Sequence, residues 1–243
     1  MRLSIVIPTK NEEKLLPRLL GSIRNQSLQD VEIIVADAES TDRTREIAAS
    51  FGVRIVEGGM PGPGRNRGAA VATADTIVFF DADVFLPRST FLENLLAEMQ
   101  RREADIATCR VYAAEGKLVD HVMHGAYNVF TIATERILPH APGFCLFVRR
   151  EVHERIKGFD EDVVFAEDHE YVRRAVKRGY RFAILRDSII HVSVRRLEKE
   201  GRATLAAKYI YGECAMLAYG PFKHRMPFSY EFDHRPKKET ESN

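Results

Sequence analysis

The sequence predicts an α/β fold with a mostly parallel central sheet and helices on both of its faces. The first observation is that short apolar runs alternate with helix-period segments along the first third of the 243 residues, an order typical of parallel strands joined by crossover helices. The second is that polar residues follow shortly after three of these runs, at Thr9, Asp37 and Asp81. Because open α/β sheets bind ligands beyond the carboxyl ends of their strands, these positions predict a binding site at one edge of the sheet.

The first third contains four predicted strands and three predicted helices. The strands are the short apolar runs Leu3–Ile7, Val31–Ala36, Val53–Val56 and Thr76–Phe80. The helices are the segments Leu15–Ile23, Asp42–Phe51 and Asn66–Ala74. Pro17 falls in the first turn of its helix, where its missing N–H is harmless, and Ser40 or Thr41 is predicted to cap the next helix. The Gly/Pro-rich stretch Gly58–Gly64 is predicted to be a loop.

The second half of the chain is less regular. Its predicted strands are Ile106–Tyr112, Phe144–Val148, Tyr180–Leu185 and Ser188–Val194. Its predicted helices are Arg88–Arg101, Leu118–Ile137, Ala166–Arg178 and Ala203–Leu217. The polar end of the chain, residues 223–243, is predicted to be partly disordered. Since no repeat and no clean linker interrupts the chain, we expect one domain over residues 1–222 with a short C-terminal extension.

Composition and charge indicate a globular protein without a general affinity for nucleic acid. Hydrophobic residues make up 45% and charged residues 29%, and the formal net charge is +1, so no global field would attract a polyanion. The three cysteines lie far apart and outside any CxxC pair, which indicates reduced structural thiols. The N-terminus does not resemble a signal peptide, and no apolar run is long enough to cross a bilayer. We therefore expect a cytoplasmic protein.

Two carboxylates, Asp81 and Asp83, stand where the fourth strand meets solvent. Close carboxylates repel unless a cation lies beside them, and Mg²⁺ or Mn²⁺ is commonly held by one or two carboxylates together with substrate phosphates. The alternative is a strand-end turn with two solvated side chains. His191 ends the apolar run SIIHV, where it is either a structural histidine or a further metal ligand beside Asp83. At the binding edge of a parallel sheet we favour a metal site.

Other charged residues offer further candidates, each with a structural alternative. Glu167 and Asp168 open a predicted helix, where the helix dipole favours carboxylates, but a carboxylate in this position can also act as a general base. The basic cluster Arg195–Arg202 could bind a pyrophosphate or an anionic lipid surface, or form a solvated helix face. The stretch Gly58–Gly64 lacks the third glycine of a dinucleotide-binding loop, but it could still close over a ligand.

Five segments, considered in their order, resemble the family-2 glycosyltransferases of the GT-A fold. They are IVIPTKNEE, VADAESTD, RNRGAAVATADTIVFFDAD, GFDEDVVFAEDHEYVRRAVKRGYRF and the later His191. The resemblance covers roughly residues 1–200 and implies transfer of a sugar from a nucleotide-diphosphate sugar, usually with inversion. It also implies a nucleotide-binding half over about residues 1–112, an acceptor half over about residues 113–222, and Mn²⁺ or Mg²⁺ as the cofactor.

The resemblance assigns roles to individual residues. Those that would line the nucleotide pocket, contact the base or ribose, or border the donor are Pro8, Thr9, Asn11, Glu12, Asp37, Arg65 and Asn66. Asp81 and Asp83 match the metal-binding triplet of the family, with Asp83 as the direct ligand. Asp168 matches the catalytic base, with Glu167 beside it. The pair Arg195-Arg196 would partly replace the arginine of the family's Gln-x-x-Arg-Trp motif.

Departures from the family pattern limit what the resemblance implies. Lys10 stands where many members carry an aromatic residue, and Ala38 replaces the second acid of a common Asp-Asp pair, so the donor nucleotide stays open. The Gln-x-x-Arg-Trp motif of processive polymer synthases is absent, since the chain has no Trp. Two other classes remain as alternatives: a sugar-1-phosphate nucleotidyltransferase, and a non-catalytic protein that binds a nucleotide-sugar or a membrane surface.

Two apolar, aromatic-rich segments are candidates for the part of the protein that binds the acceptor. They are Leu118–Ile137 and Ala203–Phe222, and the second directly follows the basic cluster. They either pack on the sheet or form a homo-oligomer interface, or they shape the acceptor site. In the last case, apolar area beside positive charge would let the enzyme approach a lipid-linked acceptor as a peripheral protein at the inner face of the membrane.

Overall fold

The computed structural model describes residues 3–59 and 61–223, and these form one eight-stranded sheet with helices on both faces. In chain order, the strands are β1 Leu3–Thr9, β2 Val31–Asp37, β3 Arg54–Glu57, β4 Thr76–Phe80, β5 Val84–Phe85, β6 Ile106–Ala113, β7 Cys145–Arg149 and β8 Phe182–Val192. The helices of the described residues are α1 Leu16–Arg24, α2 Thr44–Ser50, α3 Pro61–Ala70, α4 Phe91–Arg101, α5 Leu118–Thr134, α6 Arg150–Arg155, α7 Glu167–Lys177, α8 Arg195–Glu200 and α9 Arg202–Tyr219. The predicted α/β class is confirmed.

The strand order places the polar strand ends side by side. The order is β3-β2-β1-β4-β7-β6-β8-β5, and four of the seven strand pairs are parallel. β1 lies between β2 and β4 and is parallel to both, and Thr9 pairs with Asp37 across the first of these contacts. The first four strands therefore deliver their carboxyl ends to the same edge, as the chain order predicted.

Two apolar cores lie on opposite faces of the sheet. Along β1, Leu3, Ile5 and Ile7 belong to the core shared with α1 and α4, whereas Val6 belongs to the core shared with α3, α6 and α7. This alternation follows from the two-residue period of a strand. All four side chains are fully buried. Burial on both faces explains why the central strands read as nearly continuous apolar runs.

Helix α3 begins at Pro61, inside the stretch predicted to be a loop. Proline suits the first turn of a helix, and the glycines that suggested a flexible loop instead permit close packing. A Cβ on Gly68 would lie 2.3 Å from Cγ1 of Val6 in β1, so α3 approaches the sheet at a distance that a side chain would prevent. The prediction of a loop over 58–64 is therefore wrong from residue 61 onward.

The predicted caps of α2 are also wrong. Ser40 and Thr41 do not cap this helix; the carboxylate of Asp42 accepts hydrogen bonds from the N–H and the hydroxyl of Thr44 at 3.0 and 2.5 Å instead. The hydroxyl of Ser40 donates to Asp37 at 2.6 Å. The Ser40 hydroxyl therefore bonds to a carboxylate three residues earlier in the chain and not to the start of α2.

β8 is one strand of 11 residues where two strands were predicted. An irregularity opposite Cys109 and Arg110 of β6 interrupts its register. There the backbone N–H groups of Arg186 and Asp187 donate to the buried carboxylate of Glu98 at 2.8 and 2.9 Å. Because α4 supplies this carboxylate, the strand continues through a polar stretch that looked like a break.

The remaining sequence predictions concern thiols, membrane spans and the tail. Cys109 and Cys145 are buried free thiols with 3.5 Å between their sulfurs, and Cys214 is a free thiol exposed on α9. Over residues 3–59 and 61–223, the helices are too short or too polar to cross a bilayer. The predicted disordered tail lies outside the described residues except for Lys223, whose Nζ lies 2.7 Å from the carboxylate of Asp160.

Candidate active site

The loops after β1 and β2 form one polar wall of the candidate site. The buried carboxylate of Asp37 accepts hydrogen bonds from the hydroxyls of Thr9 at 3.2 Å and Ser40 at 2.6 Å. Asn11 has a left-handed backbone conformation with φ of 54°, and its side-chain oxygen accepts the N–H of Thr41 at 2.8 Å. Three predicted pocket residues therefore meet at the sheet edge, as adjacent parallel strands require.

An ion pair joins this wall to the C-terminal half of the chain. The carboxylate of Glu12 lies 3.0 and 3.3 Å from the two terminal guanidinium nitrogens of Arg195, which is 183 positions later. The backbone N–H of Glu12 donates to the hydroxyl of Thr44 at 2.7 Å, which fixes the loop. Burial lowers the pKa of Arg195, but Glu12 and Asp83 raise it by more, so its net shift is upward. The charge of Arg195 therefore acts on Asp83, which follows β4, as well as on Glu12.

Asp81 and Asp83 follow β4 at the same edge. The Oδ1 atom of Asp81 accepts a hydrogen bond from Arg65 at 2.9 Å, and the carbonyl of Asp83 accepts the N–H of Ser193 at 3.0 Å. Burial and the nearby carboxylates of Asp81 and Glu12 raise the pKa of Asp83 to about 7. The site thus concentrates negative charge on oxygen ligands, a setting that suits a hard divalent cation.

Arg65 connects these carboxylates to the start of α7. Its side chain is only 2% exposed, and its guanidinium binds Asp81 at 2.9 Å and Glu167 at 2.6 Å. Burial raises the pKa of Glu167, and the charge of Arg65 opposes that rise. A Cβ on Gly143 would lie 2.5 Å from Nη2 of Arg65. The backbone can approach the guanidinium this closely only because residue 143 has no side chain.

Asp168 lies one residue further along α7, beside the same glycine. Its Oδ2 atom accepts the N–H of Gly143 at 2.5 Å, and its Oδ1 atom accepts the N–H of His169 at 2.8 Å. The helix is preceded by Ala166 in the left-handed conformation, with φ of 51°. Such strain in a residue with a Cβ is concentrated at functional sites. The candidate base is therefore held at the start of α7 by two backbone hydrogen bonds.

A cluster that the sequence did not reveal adjoins Asp168. His140, His169 and Glu213 bring three candidate metal-ligand atoms within 4.8 Å of one another, the one such group in the part of the chain that the structure describes. Arg173 already forms an ion pair with Glu213, and its guanidinium lies 3.5 Å from Nε2 of His140. Because this cation already neutralises the carboxylate, we interpret the cluster as a network that holds α9 against α7. No sequence motif connects its members.

Glu213 determines the charges in this cluster. Burial raises its pKa, but hydrogen bonds from His140, His169 and Arg173 outweigh burial and hold that pKa well below its usual range. Burial lowers the pKa of His169, but the charges of Asp168 and Glu213 raise it by more. The structure therefore favours an imidazolium at His169 next to the candidate base.

We expect Glu213→Gln to lower the free energy of unfolding by about 1.5–3 kcal/mol, the range for hydrogen bonds to charged groups, and by more near pH 6 than near pH 9. The folded-state pKa of His169 is raised. Its stabilisation is therefore fully present below the unfolded value of about 6.5 and is lost as the pH rises through the folded-state pKa. Urea unfolding at both pH values measures the difference.

The control for this prediction is Glu57→Gln, whose side chain is 80% exposed and whose loss should not depend on pH in this range. Equal losses at the two pH values in Glu213→Gln would contradict a charged His169.

The structure places His191 among aromatic rings. Its ring packs edge-on against that of Phe85, with 4.9 Å between the centroids. Burial and the charge of Arg18 lower its pKa, which favours the neutral form that binds metals. Within the described residues it does not form a three-ligand group with Asp81 and Asp83 in this conformation. Its role as a metal ligand stays a prediction.

Two other predicted donor residues make structural contacts. The side chain of Asn66 exchanges hydrogen bonds with the backbone N–H and carbonyl of Phe159, at 2.8 and 2.9 Å. Arg196 pairs with Glu200 one turn later in α8, at 3.0 Å. These contacts order the loop before α7 and the helix after β8. The predicted contacts of both residues with a donor stay predictions.

Comparison with known proteins identifies the family. The sequence model described as Glycosyl transferase family 2 matches residues 4–157, more than half of the chain. The chain belongs to this family. It has the GT-A fold.

Two relatives and one solved structure illustrate the similarity. The 4,4'-diaponeurosporenoate glycosyltransferase of Staphylococcus haemolyticus (strain JCSC1435) is 32% identical over 140 residues, which cover 54% of this chain and 37% of that protein. The glycosyltransferase EpsJ of Bacillus subtilis (strain 168) is 29% identical over 205 residues, which cover 76% of this chain and 59% of that protein. The chain thus spans less than two thirds of the length of either relative. The mannosyltransferase PcManGT of Pyrobaculum calidifontis, solved with GDP-Man and Mn²⁺, matches with a TM-score of 0.69 and 23% identity, over 87% of this chain and 61% of that one.

Proposed function

We propose that this glycosyltransferase moves a hexosyl group from a nucleotide-diphosphate sugar to an acceptor hydroxyl or lipid phosphate, with inversion and with Mn²⁺ or Mg²⁺ as cofactor. The observation that carries the proposal is the bridge formed by Arg65. It holds the strand-end carboxylate of Asp81 and the start of α7, where Asp168 lies, in one site. Carboxylates beside a diphosphate and a carboxylate beside the acceptor are the groups that such a transfer needs.

Asp83 and Asp81 fit a divalent cation. Carboxylate oxygens are the ligands that Mg²⁺ and Mn²⁺ prefer, and burial, together with the nearby charges of Asp81 and Glu12, raises the pKa of Asp83. When bound, the cation would neutralise charge on the leaving diphosphate. The solved mannosyltransferase carries Mn²⁺ together with GDP-Man, which supports the same kind of cofactor and donor for this chain.

The donor would bind along the polar wall at the sheet edge. The residues proposed to hold it are Pro8, Thr9, Asn11, Glu12, Asp37, Arg65, Asn66, Asp81, Arg195 and Arg196. Arg195 is the cation proposed to contact the diphosphate, because its ion pair with Glu12 holds it at the polar wall and its charge acts on Asp83. Membership of the family favours a transferase over the nucleotidyltransferase and over the non-catalytic binding protein.

Asp168 would take the proton of the acceptor hydroxyl as that oxygen attacks the anomeric carbon. The bond from this carbon to the diphosphate oxygen breaks in the same step, and its electron pair leaves with the diphosphate. A single displacement from the opposite face inverts the anomeric centre. The N–H of Gly143, at 2.5 Å, orients the carboxylate for this role. Arg65 neutralises the neighbouring Glu167, so the two carboxylates do not compete for one proton.

A thermal-shift measurement with Mn²⁺ and a panel of UDP- and GDP-sugars tests the donor site. We expect the matching donor to raise the melting temperature of the wild type only with Mn²⁺ present. A ligand at about 100 times its Kd stabilises the folded state by about 2.7 kcal/mol, which makes the shift measurable. Asp83→Asn should abolish the shift. Asp75→Asn, whose side chain is 98% exposed just before β4, should retain it. A donor-induced shift of the wild type that persists in EDTA, or a shift of wild-type size in Asp83→Asn with Mn²⁺, would contradict the metal assignment.

A further inference from the structure

The outward face of α5 is apolar, and polar groups lie on its inward face beside Tyr127, which packs against the core. The buried residues of this helix are Asp120 and Thr131. The exposed residues all lack charge and recur at helical spacing: Leu118, Val119, Val122, Gly125, Ala126, Val129, Phe130 and Ala133. A surface helix normally has the opposite arrangement. This face is therefore suited to contact with an apolar partner rather than with water.

Polar contacts on the inward side hold α5 in this orientation. Arg202 donates to both carboxylate oxygens of Asp120, at 2.6 and 2.8 Å. The side chain of Asn128 bonds to both the N–H and the carbonyl of Val111 in β6, at 2.9 and 2.8 Å. The helix cannot turn its apolar residues toward the core without breaking these bonds.

Helix α9 presents a second apolar face, joined to the first by the pair of Arg202 and Asp120. Its exposed residues at helical spacing are Ala203, Thr204, Ala207, Ile210, Tyr211, Cys214, Leu217 and Ala218. Its charged side chains pair within the protein, Lys208 with Glu200 and Glu213 with Arg173. We call the exposed faces of α5 and α9 together the apolar surface.

The apolar surface is large and borders the candidate active site. Large hydrophobic side chains on and next to the two helices are between 44% and 89% exposed. Scattered single hydrophobic residues are normal at a protein surface, whereas a contiguous exposed apolar patch marks an interaction site. The ring of Phe130 lies 5.3 Å from that of His140, which lies 4.7 Å from that of His169. His169 is the direct neighbour of Asp168, so the surface leads to the proposed base.

We propose that the apolar surface binds a lipid bilayer and that the enzyme glycosylates an acceptor anchored in that bilayer. The second half of this inference, the acceptor, depends on the function proposed above. A second copy of the chain seated on both helices would cover the site from the side of Phe130 and His140, whereas a bilayer supplies an amphiphilic acceptor from that side. The exposed cations Lys117 and Arg136 bracket α5. In this position they can reach headgroups while the apolar face enters the acyl boundary.

The basic cluster contributes less to this contact than the sequence suggested. Three of its arginines form ion pairs within the protein: Arg195 with Glu12, Arg196 with Glu200, and Arg202 with Asp120. Because these cations are already neutralised, apolar contact rather than anionic headgroups should drive the association. Binding should therefore persist on neutral vesicles and at high salt.

Flotation of the full chain with pure phosphatidylcholine vesicles tests the inference. We expect the wild type to float, and its bound fractions at low and high salt should agree to within about two-fold. The double variant Val129→Glu/Ile210→Glu places charge at side chains that are 70% and 67% exposed, and should reduce the bound fraction roughly ten-fold or more. The matched control Ala97→Glu/Gln100→Glu adds the same charge at exposed positions of α4, and should float like the wild type.

Flotation only with phosphatidylserine-containing vesicles, lost at high salt, would overturn the apolar mode of binding, and no flotation with either lipid would overturn the whole inference. A dimer in light scattering that Val129→Glu/Ile210→Glu abolishes, without vesicle binding, would assign the surface to a second copy. The donor-induced thermal shift of each variant is measured without lipid. A retained shift with no flotation refutes the membrane inference alone, and flotation with no donor shift refutes the proposed function alone.

Discussion

Replacing Asp168 by Asn should lower turnover by a factor of about 10²–10⁴, the usual contribution of general-base catalysis, and leave donor affinity within a few-fold of the wild type. Asparagine has the same size and can still accept the N–H of Gly143 through its amide oxygen, so the start of α7 should stay folded. It lacks the basicity needed to take a proton from the acceptor. Initial rates at saturating donor, together with the thermal shift, separate chemistry from binding.

The matched control is Asp162→Asn, which removes an exposed carboxylate from the segment before α7 and should leave the rate unchanged. Unchanged turnover in Asp168→Asn would reduce Asp168 to a carboxylate favoured by the helix dipole. Glu167→Gln would then be the variant to test for the base, although Glu167 is paired with Arg65 at 2.6 Å.

Replacing Arg65 by Gln should lower the free energy of unfolding by about 3–5 kcal/mol, the cost of removing one partner from a buried ion pair. The side chain is 2% exposed and neutralises both Asp81 and Glu167. Its loss would leave two carboxylates near each other without their cation. Urea unfolding near neutral pH measures the effect.

Arg43→Gln is the matched control, since this arginine is 69% exposed in its ion pair with Glu46 and its replacement should leave the free energy of unfolding nearly unchanged. Arg65→Lys covers the case in which Arg65→Gln does not fold. Lysine keeps the charge but cannot bridge two carboxylates with a planar fork, so an intermediate loss is expected. A loss below about 1 kcal/mol in Arg65→Gln would contradict the bridging role.

Strand ends and the polar sheet edge were predictable because they depend on local pattern. The bounds of β4 were predicted as observed, Thr76–Phe80, since an apolar run that stops at an aspartate marks where a strand leaves the core. Asp37 and Asp81 follow the same rule. The start of α3 was missed because the same glycines that suggest a loop also allow a helix to pack tightly on β1.

The partners of the charged residues were not predictable from the sequence. Glu12 and Arg195 are 183 positions apart. The local sequence around each of them would fit a solvent-exposed side chain equally well. The buried Glu98 reads as one more surface carboxylate of α4, yet it serves two backbone N–H groups of β8. In both cases the contact exists only because distant elements pack together.

The sequence by itself determined the α/β class, the family and the edge of the sheet where the site lies, because these depend on periodicity, motif spacing and strand order. Only the tertiary structure decided which charges meet and which way α5 faces. The composition of α5 was compatible with a buried helix, but its polar residues Asp120 and Asn128 are hydrogen-bonded on the inward side. Leaving such polar groups without partners in the interior costs more than each hydrogen bond returns on average, so the polar side of the helix turns inward and the apolar side remains at the surface.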